Sequence, residues 1–229
     1  MIDLKPIIFG TEMIKAILEG QKTVTRRVVK LPKNVIKSGN GLYTFLAEGD
    51  TYYNQGIEAL IEKGYIRPRY NIGDILCVRE TWCIHDLNSP AFCMMIKYKA
   101  DDSTALQVEF EPDRFERFKK FYYKKGWQSP QFMPKEAARI FLNVVDVRAE
   151  RVQDITQEQA EKEMSFDCMK NLCAGFTGDY LTAFEILWDK INKKRVYGWE
   201  ANPMVWVYEF EKIEKPTTNE LEHSYEVGV

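Results

Sequence analysis

Three short segments of this chain concentrate residues able to do chemistry. In GQKTVTRR, Lys22, Arg26 and Arg27 stand among β-branched residues with Thr25 between them. In FERFKKFYYKKGW, Lys119, Lys120, Lys124 and Lys125 surround Phe121, Tyr122 and Tyr123. Cations beside rings suit a nucleic acid or nucleoside, because phosphates seek positive charge and bases stack on ring faces. The third segment, GDILCVRETW, places Arg79, Glu80 and Trp82 together, and a strand that is simply core seldom carries adjacent opposite charges. Trp82, Tyr98 and Trp127 are the stacking candidates, whereas Trp188 and Trp206 sit in regular apolar patterns and are assigned to the core. Each cluster also has a plainer reading: a solvated cationic strand face, a solvated loop, and a surface ion pair worth about 0 to 1 kcal/mol.

Other chemistry has little material. With only His85 and His223, a histidine metal site or a Ser-His-Asp triad is poorly supplied. Cys77, Cys83, Cys93, Cys168 and Cys173 are odd in number and contain no CxxC pair, so they read as reduced thiols, mostly buried. No metal cluster, phosphate-binding glycine loop or flavin fingerprint is present, so no cofactor is expected. Thirty-two Lys and Arg against thirty-four Asp and Glu give no global field for polyanions. Any nucleic-acid contact must then be local, and duplex DNA ranks last among partners. No long apolar run appears, so no membrane partner is expected and the protein reads as cytoplasmic.

These residues need elements to position them. Pro6 to Phe9 reads as a strand, followed by a helix capped by Thr11, with Met13, Ile14, Ile17 and Leu18 on one face and Gly20 at its end. GQKTVTRRVVK is a second strand. Residues 31–67 look like an insertion, loop-like as far as Gln55 and closing with a short helix around Leu60. Strands follow at ILCVRETW and at Cys93 to Lys99, and residues 101–131 form a second insertion, polar and mobile. Ala138 to Val152 reads as a bent strand. Thr156 and Gln159 open a helix as a capping box, and Asp179 caps a more amphipathic one. In NPMVWVYEFEK, Trp206, Tyr208 and Phe210 share one strand face, and Val205, Val207 and Glu209 the other. Residues 214–229 form a polar tail read as disordered. Dispersed strands with helices inserted between them, and no βαβ alternation, predict an α+β fold built on a small mixed β-barrel.

The ordered landmarks GQKTVTRR, GDILCVRETW and ANPMVWVYEFE resemble the ASCH domain family of PUA-like folds, over Pro6 to about Lys212. The chain is most like the longer members found in bacteriophages and prophages. The resemblance implies a single domain over residues 1–213, a PUA-like β-barrel whose cleft binds RNA or a modified nucleoside. One small branch of the family hydrolyses the acetyl amide of N4-acetylcytidine with a Lys, a Thr three positions later and a Glu on a later helix. Lys22 and Thr25 match that Lys-Thr-x-Thr pattern, and Glu163 in QAEKEM matches the acid, with Glu161 as its rival. Where long members place Gly after the acid, this chain has Met164.

Amide hydrolysis needs a nucleophile, control of its proton, and positive charge where the oxyanion forms. Thr25 can be the nucleophile or position a water. Lys22 can act as base where Arg26 and Arg27 repel its proton, and Glu163 can orient the lysine or protonate the leaving amine. Positions 22 and 25 point to opposite faces of a regular strand, so their meeting requires Lys22 to precede the pleat, in the turn after Gly20. The expected ligand-binding residues are Arg26, Arg27, Arg79, Glu80 and Trp82. The function classes in view are an RNA- or nucleoside-binding module, an amidohydrolase of N4-acylated cytidine, a ribonuclease, and a non-catalytic phage accessory protein.

Overall fold

The computed structural model describes residues 4–37, 42–46, 52–101, 106–164, 167, 169, 170 and 179–216. Cys168, Cys173, His223 and all but the start of the expected disordered tail lie outside them.

The fold is mixed α and β. The first unit is β1 (Lys5–Ile8), α1 (Thr11–Leu18) and β2 (Val24–Val28). The N-cap of α1 is Gly10, without a side-chain bond, so Thr11 is the first helical residue and not the expected cap. A small antiparallel sheet follows, β3 (Val35–Lys37), β4 (Tyr43–Leu46) and β5 (Tyr52–Gln55), then α2 (Ile57–Glu62). The region before Gln55 is thus a strand meander and not the expected loop. After β6 (Ile75–Arg79), a third sheet is built from β7 (Trp82–Asn88), β8 (Cys93–Tyr98) and β9 (Leu106–Glu109). Next come α3 (Pro112–Lys124), the long β10 (Phe141–Arg151), α4 (Gln157–Glu163), α5 (Tyr180–Asn192) and β11 (Met204–Ile213).

The main sheet runs in the order β1-β6-β10-β11-β2, with β1 parallel to β6 and the other pairs antiparallel. The register of β10 against β11 shifts between Val144 and Asp146, a bulge in the strand expected to bend. Because side chains alternate along β11, one strand serves two cores. Trp206, Tyr208 and Phe210 pack with Phe9, Ile14, Ile17 and Leu142, whereas Val205 and Val207 pack with Phe184, Leu187 and Trp188 of α5.

The expected closed barrel does not form: β1 and β2 are the two edges of an open sheet. Side chains bridge the gap between them. Just past β1, Phe9 N–H donates to the Arg79 carbonyl of β6, which leaves Pro6 and Ile8 turned outward, and Pro6 has no N–H to leave unpaired at that edge. The Pro6 carbonyl accepts from the Tyr70 hydroxyl at 2.7 Å, and the Ile8 carbonyl from Arg27 Nη2 of the opposite edge at 2.8 Å.

The second expected insertion is likewise folded. Pro112 starts α3, and Phe115, Phe118 and Phe121 recur every three residues along one face. Phe115 is fully buried, and Trp82 meets the rings of Phe118 and Phe121 edge-on at 6.5 and 5.5 Å. No helix among the described residues is long and apolar enough to cross a membrane.

Candidate functional site

The end of α1 places Lys22. Gly20 adopts φ 74°, which a glycine accepts without strain, and the N–H groups of Gln21 and Lys22 both return to the Ala16 carbonyl, at 2.9 and 3.1 Å. Regular pleating begins only at Val24, so Lys22 lies in the turn, as its meeting with Thr25 requires. Its side chain is 2% exposed, and Nζ donates to the carbonyls of Val24 and Glu163, each at 2.6 Å, with Glu163 Oε1 at 3.7 Å.

Glu163 comes from α4. The reciprocal capping box expected of Thr156 and Gln159 is formed, and the helix ends as Met164 leaves helical geometry and buries itself in the core. That exit aims Glu163 at β2, while Glu161 stays exposed. Glu163 Oε1 accepts the Arg26 backbone N–H at 2.8 Å. Val24 C=O and Arg26 N–H are edge groups of β2, on the side away from β11, and Lys22 and Glu163 stand where a further strand would pair.

The two arginines divide across the strand. Arg26 points into the helical layer, its side chain wholly buried; Nη2 reaches Glu150 at 2.6 Å and Gln159 at 2.8 Å, and Nη1 reaches Glu163 at 3.4 Å. It holds α4 to β2 and is out of reach of a ligand. Thr25 and Arg27 pair with Tyr208 and Trp206 of β11 and so lie on the opposite face. Arg27 retains an exposed surface with its guanidinium 5.1 Å from the Phe9 ring centre. Enough protein surrounds it that desolvation lowers its pKa from the ordinary value, opposed by Glu163, Tyr70 and Tyr208 and reinforced by Arg69. The guanidinium is thus exposed on one side and lined by protein on the other. Tyr70 and Tyr208 meet edge-on at 5.2 Å, and burial raises both phenols. Arg69, exposed above the Tyr70 ring at 5.4 Å, adds a second cation beside these rings.

Arg79, Glu80 and Trp82 do not join this cleft. Trp82 is completely buried, its indole N–H donating to the Ser129 carbonyl at 3.3 Å, so it is a core residue and no stacking platform. Tyr98 is likewise buried, its hydroxyl on the Ala137 carbonyl at 2.6 Å, while Trp127 is 40% exposed. Glu80 is buried and paired with Arg139, 59 residues away, through Nε at 2.8 Å and Nη2 at 3.0 Å, in place of the surface pair with Arg79. Burial pushes the Glu80 carboxyl up and Arg139 pulls it back. Arg79 opens instead into a groove of about 400 Å³ beside α3. A larger concavity of about 600 Å³, between β9 and Arg139, is also separate from Lys22. Among the described residues no group of three or more His, Cys, Asp or Glu is placed to hold a metal ion.

Sequence reasoning thus named Thr25 and Arg27, which lie on β2, and Lys22 and Glu163, which meet at its edge, and missed Phe9, Arg69, Tyr70 and Tyr208. Arg69 and Tyr70 stand directly before the Gly-Asp turn in PRYNIGD, and that adjacency of cation and ring was the available signal. No protein-family model, curated protein or solved structure matches the chain.

Proposed function

We propose that the protein is a PUA-like, ASCH-type module that holds a modified nucleoside, free or within RNA, in the cleft at Arg27. The observation that carries this reading is the exposed Arg27 guanidinium between the unpaired edges β1 and β2, beside Arg69 and above buried rings. A guanidinium there offers planar paired donors to the acceptor edge of a base or acyl group. Calorimetric titration of the folded protein with N4-acetylcytidine, cytidine and uridine tests it. Binding of at least one nucleoside, weakened about tenfold or more by Arg27→Ala, is expected; failure of all three to bind removes the reading.

The burial of Lys22 beside Glu163, with Thr25 on the adjoining strand, favours a second reading, deacylation of an N4-acylated cytidine. Two of the Lys22 donors are committed to carbonyls, which suits it poorly to act as a base and places its charge beside Thr25's strand. In this reading the Thr25 hydroxyl adds to the acyl carbon, the C–N bond breaks with a proton passing to the exocyclic amine, and water releases the acyl group from threonine. Chromatography of N4-acetylcytidine incubated with protein, beside Lys22→Ala and Thr25→Val, decides it. Turnover lost in both variants supports deacylation, and a folded protein without turnover leaves the binding role alone.

A further inference from the structure

The groove beside α3 lies outside the cleft and carries a separate concentration of charge. Arg79, Arg114, Arg117, Lys120 and Lys135 line it. Arg114 is committed to Glu136, with contacts of 2.6 and 2.7 Å. Among the described residues the other four cations have no carboxylate partner, and the buried Arg79 Nε has no hydrogen-bond partner. Four uncompensated cations on a chain of net charge -2 are a local surplus that self-repulsion disfavours unless a polyanion neutralises it.

Rings share the groove. Phe118 and Phe121 stack at 6.1 Å and 26°, and Phe132, 6.0 Å from Phe121, is 48% exposed. Fixed cations around an exposed ring suit an alternation of phosphate and flat base, whereas an acidic peptide would use the charges and leave the ring unmatched.

We propose that this groove binds single-stranded polynucleotide, with phosphates on Arg79, Arg117, Lys120 and Lys135 and a base against Phe132. The assignment stands independently of what the Arg27 cleft holds.

Fluorescence anisotropy of the full chain with labelled twelve-nucleotide oligo(U) and oligo(dT), over a range of salt, tests it. Arg117 and Lys120 are exposed, so the double variant Arg117→Glu/Lys120→Glu is expected to fold; circular dichroism checks this. Affinity is expected to fall at least tenfold, with the slope of log K against log salt shallower by about 1.4, roughly 0.7 for each lost phosphate contact. Phe132→Ala is expected to weaken binding about fivefold or more with the slope unchanged. Preference for oligo(U) indicates a contact with the 2′-hydroxyl, and equal affinity indicates a strand reader indifferent to the sugar; both support the proposal. Binding unchanged in the double variant, tighter binding of a duplex, or equal competition by polyglutamate would each overturn it.

Discussion

At the scale of single residues, Lys22 and Glu163 do for β2 what a neighbouring strand would do, and the cluster's chemistry cannot be separated from that structural duty. Removing either leaves a buried partner uncompensated, which typically costs about 3 to 5 kcal/mol. Lys22→Ala is therefore expected to lower the urea midpoint markedly, and Glu163→Gln, which keeps an acceptor for Arg26 N–H, to lower it less than Glu163→Ala. A stability no different from wild type in Lys22→Ala would show that the buried bonds contribute nothing. Tyr98 gives a test by pH. Burial is the main cause of its raised pKa, so its folded value lies above the unfolded value of about 10. The associated stability is complete below about pH 10 and is lost as pH rises toward the folded value. Urea titrations at several alkaline pH values should show wild type declining more steeply than Tyr98→Phe. Near neutrality the same variant should lose about 1 kcal/mol, the worth of the bond to Ala137.

At the scale of elements, the short α4 has the most to position, since it carries both Gln159 and Glu163. Thr156→Ala removes its capping hydroxyl and is expected to cost about 1 kcal/mol in thermal or chemical unfolding. Phe115→Ala should cost about 3 to 5 kcal/mol, because its ring is wholly enclosed between α3 and the third sheet. A near-neutral result would return α3 to the solvated excursion that its composition suggests. That helix shows what was illegible in the sequence: its lysines dominate the local pattern, while the Phe repeat that buries it is a thin stripe. Elements with strong local signals were readable, such as β11 with its alternating faces and the helices opened by Thr156 and Asp179. Partners distant in the chain were not: nothing local to GDILCVRETW points to Arg139, or to the rings of α3 that enclose Trp82. The turn at Lys22 was legible because Gly20 and the β-branched run after it set the local geometry. The two faces of Arg26 and Arg27 became assignable only with the register against β11.

At the scale of the whole molecule, the open sheet explains why side chains converge between β1 and β2. Each edge strand leaves backbone groups that side chains must satisfy, and those side chains, Arg27 above all, are thereby held where a ligand can meet them. Amide hydrogen exchange checks how firmly the gap is held: Arg26 N–H should be protected in wild type and exchange much faster in Glu163→Ala, with the β10–β11 amides unchanged. Equal protection in both would mean that Glu163 is not the group securing that edge. The charge distribution has a consequence for how the protein meets its partners. Since the chain as a whole is slightly acidic, the excess of cations at the α3 groove must be balanced by negative charge elsewhere on the surface, giving the molecule a permanent electrostatic polarity. An approaching polyanion would turn the protein groove-first before contact. Encounter would thus be fast but orientation-selective, and increasingly indifferent to direction as added salt shortens the reach of the field.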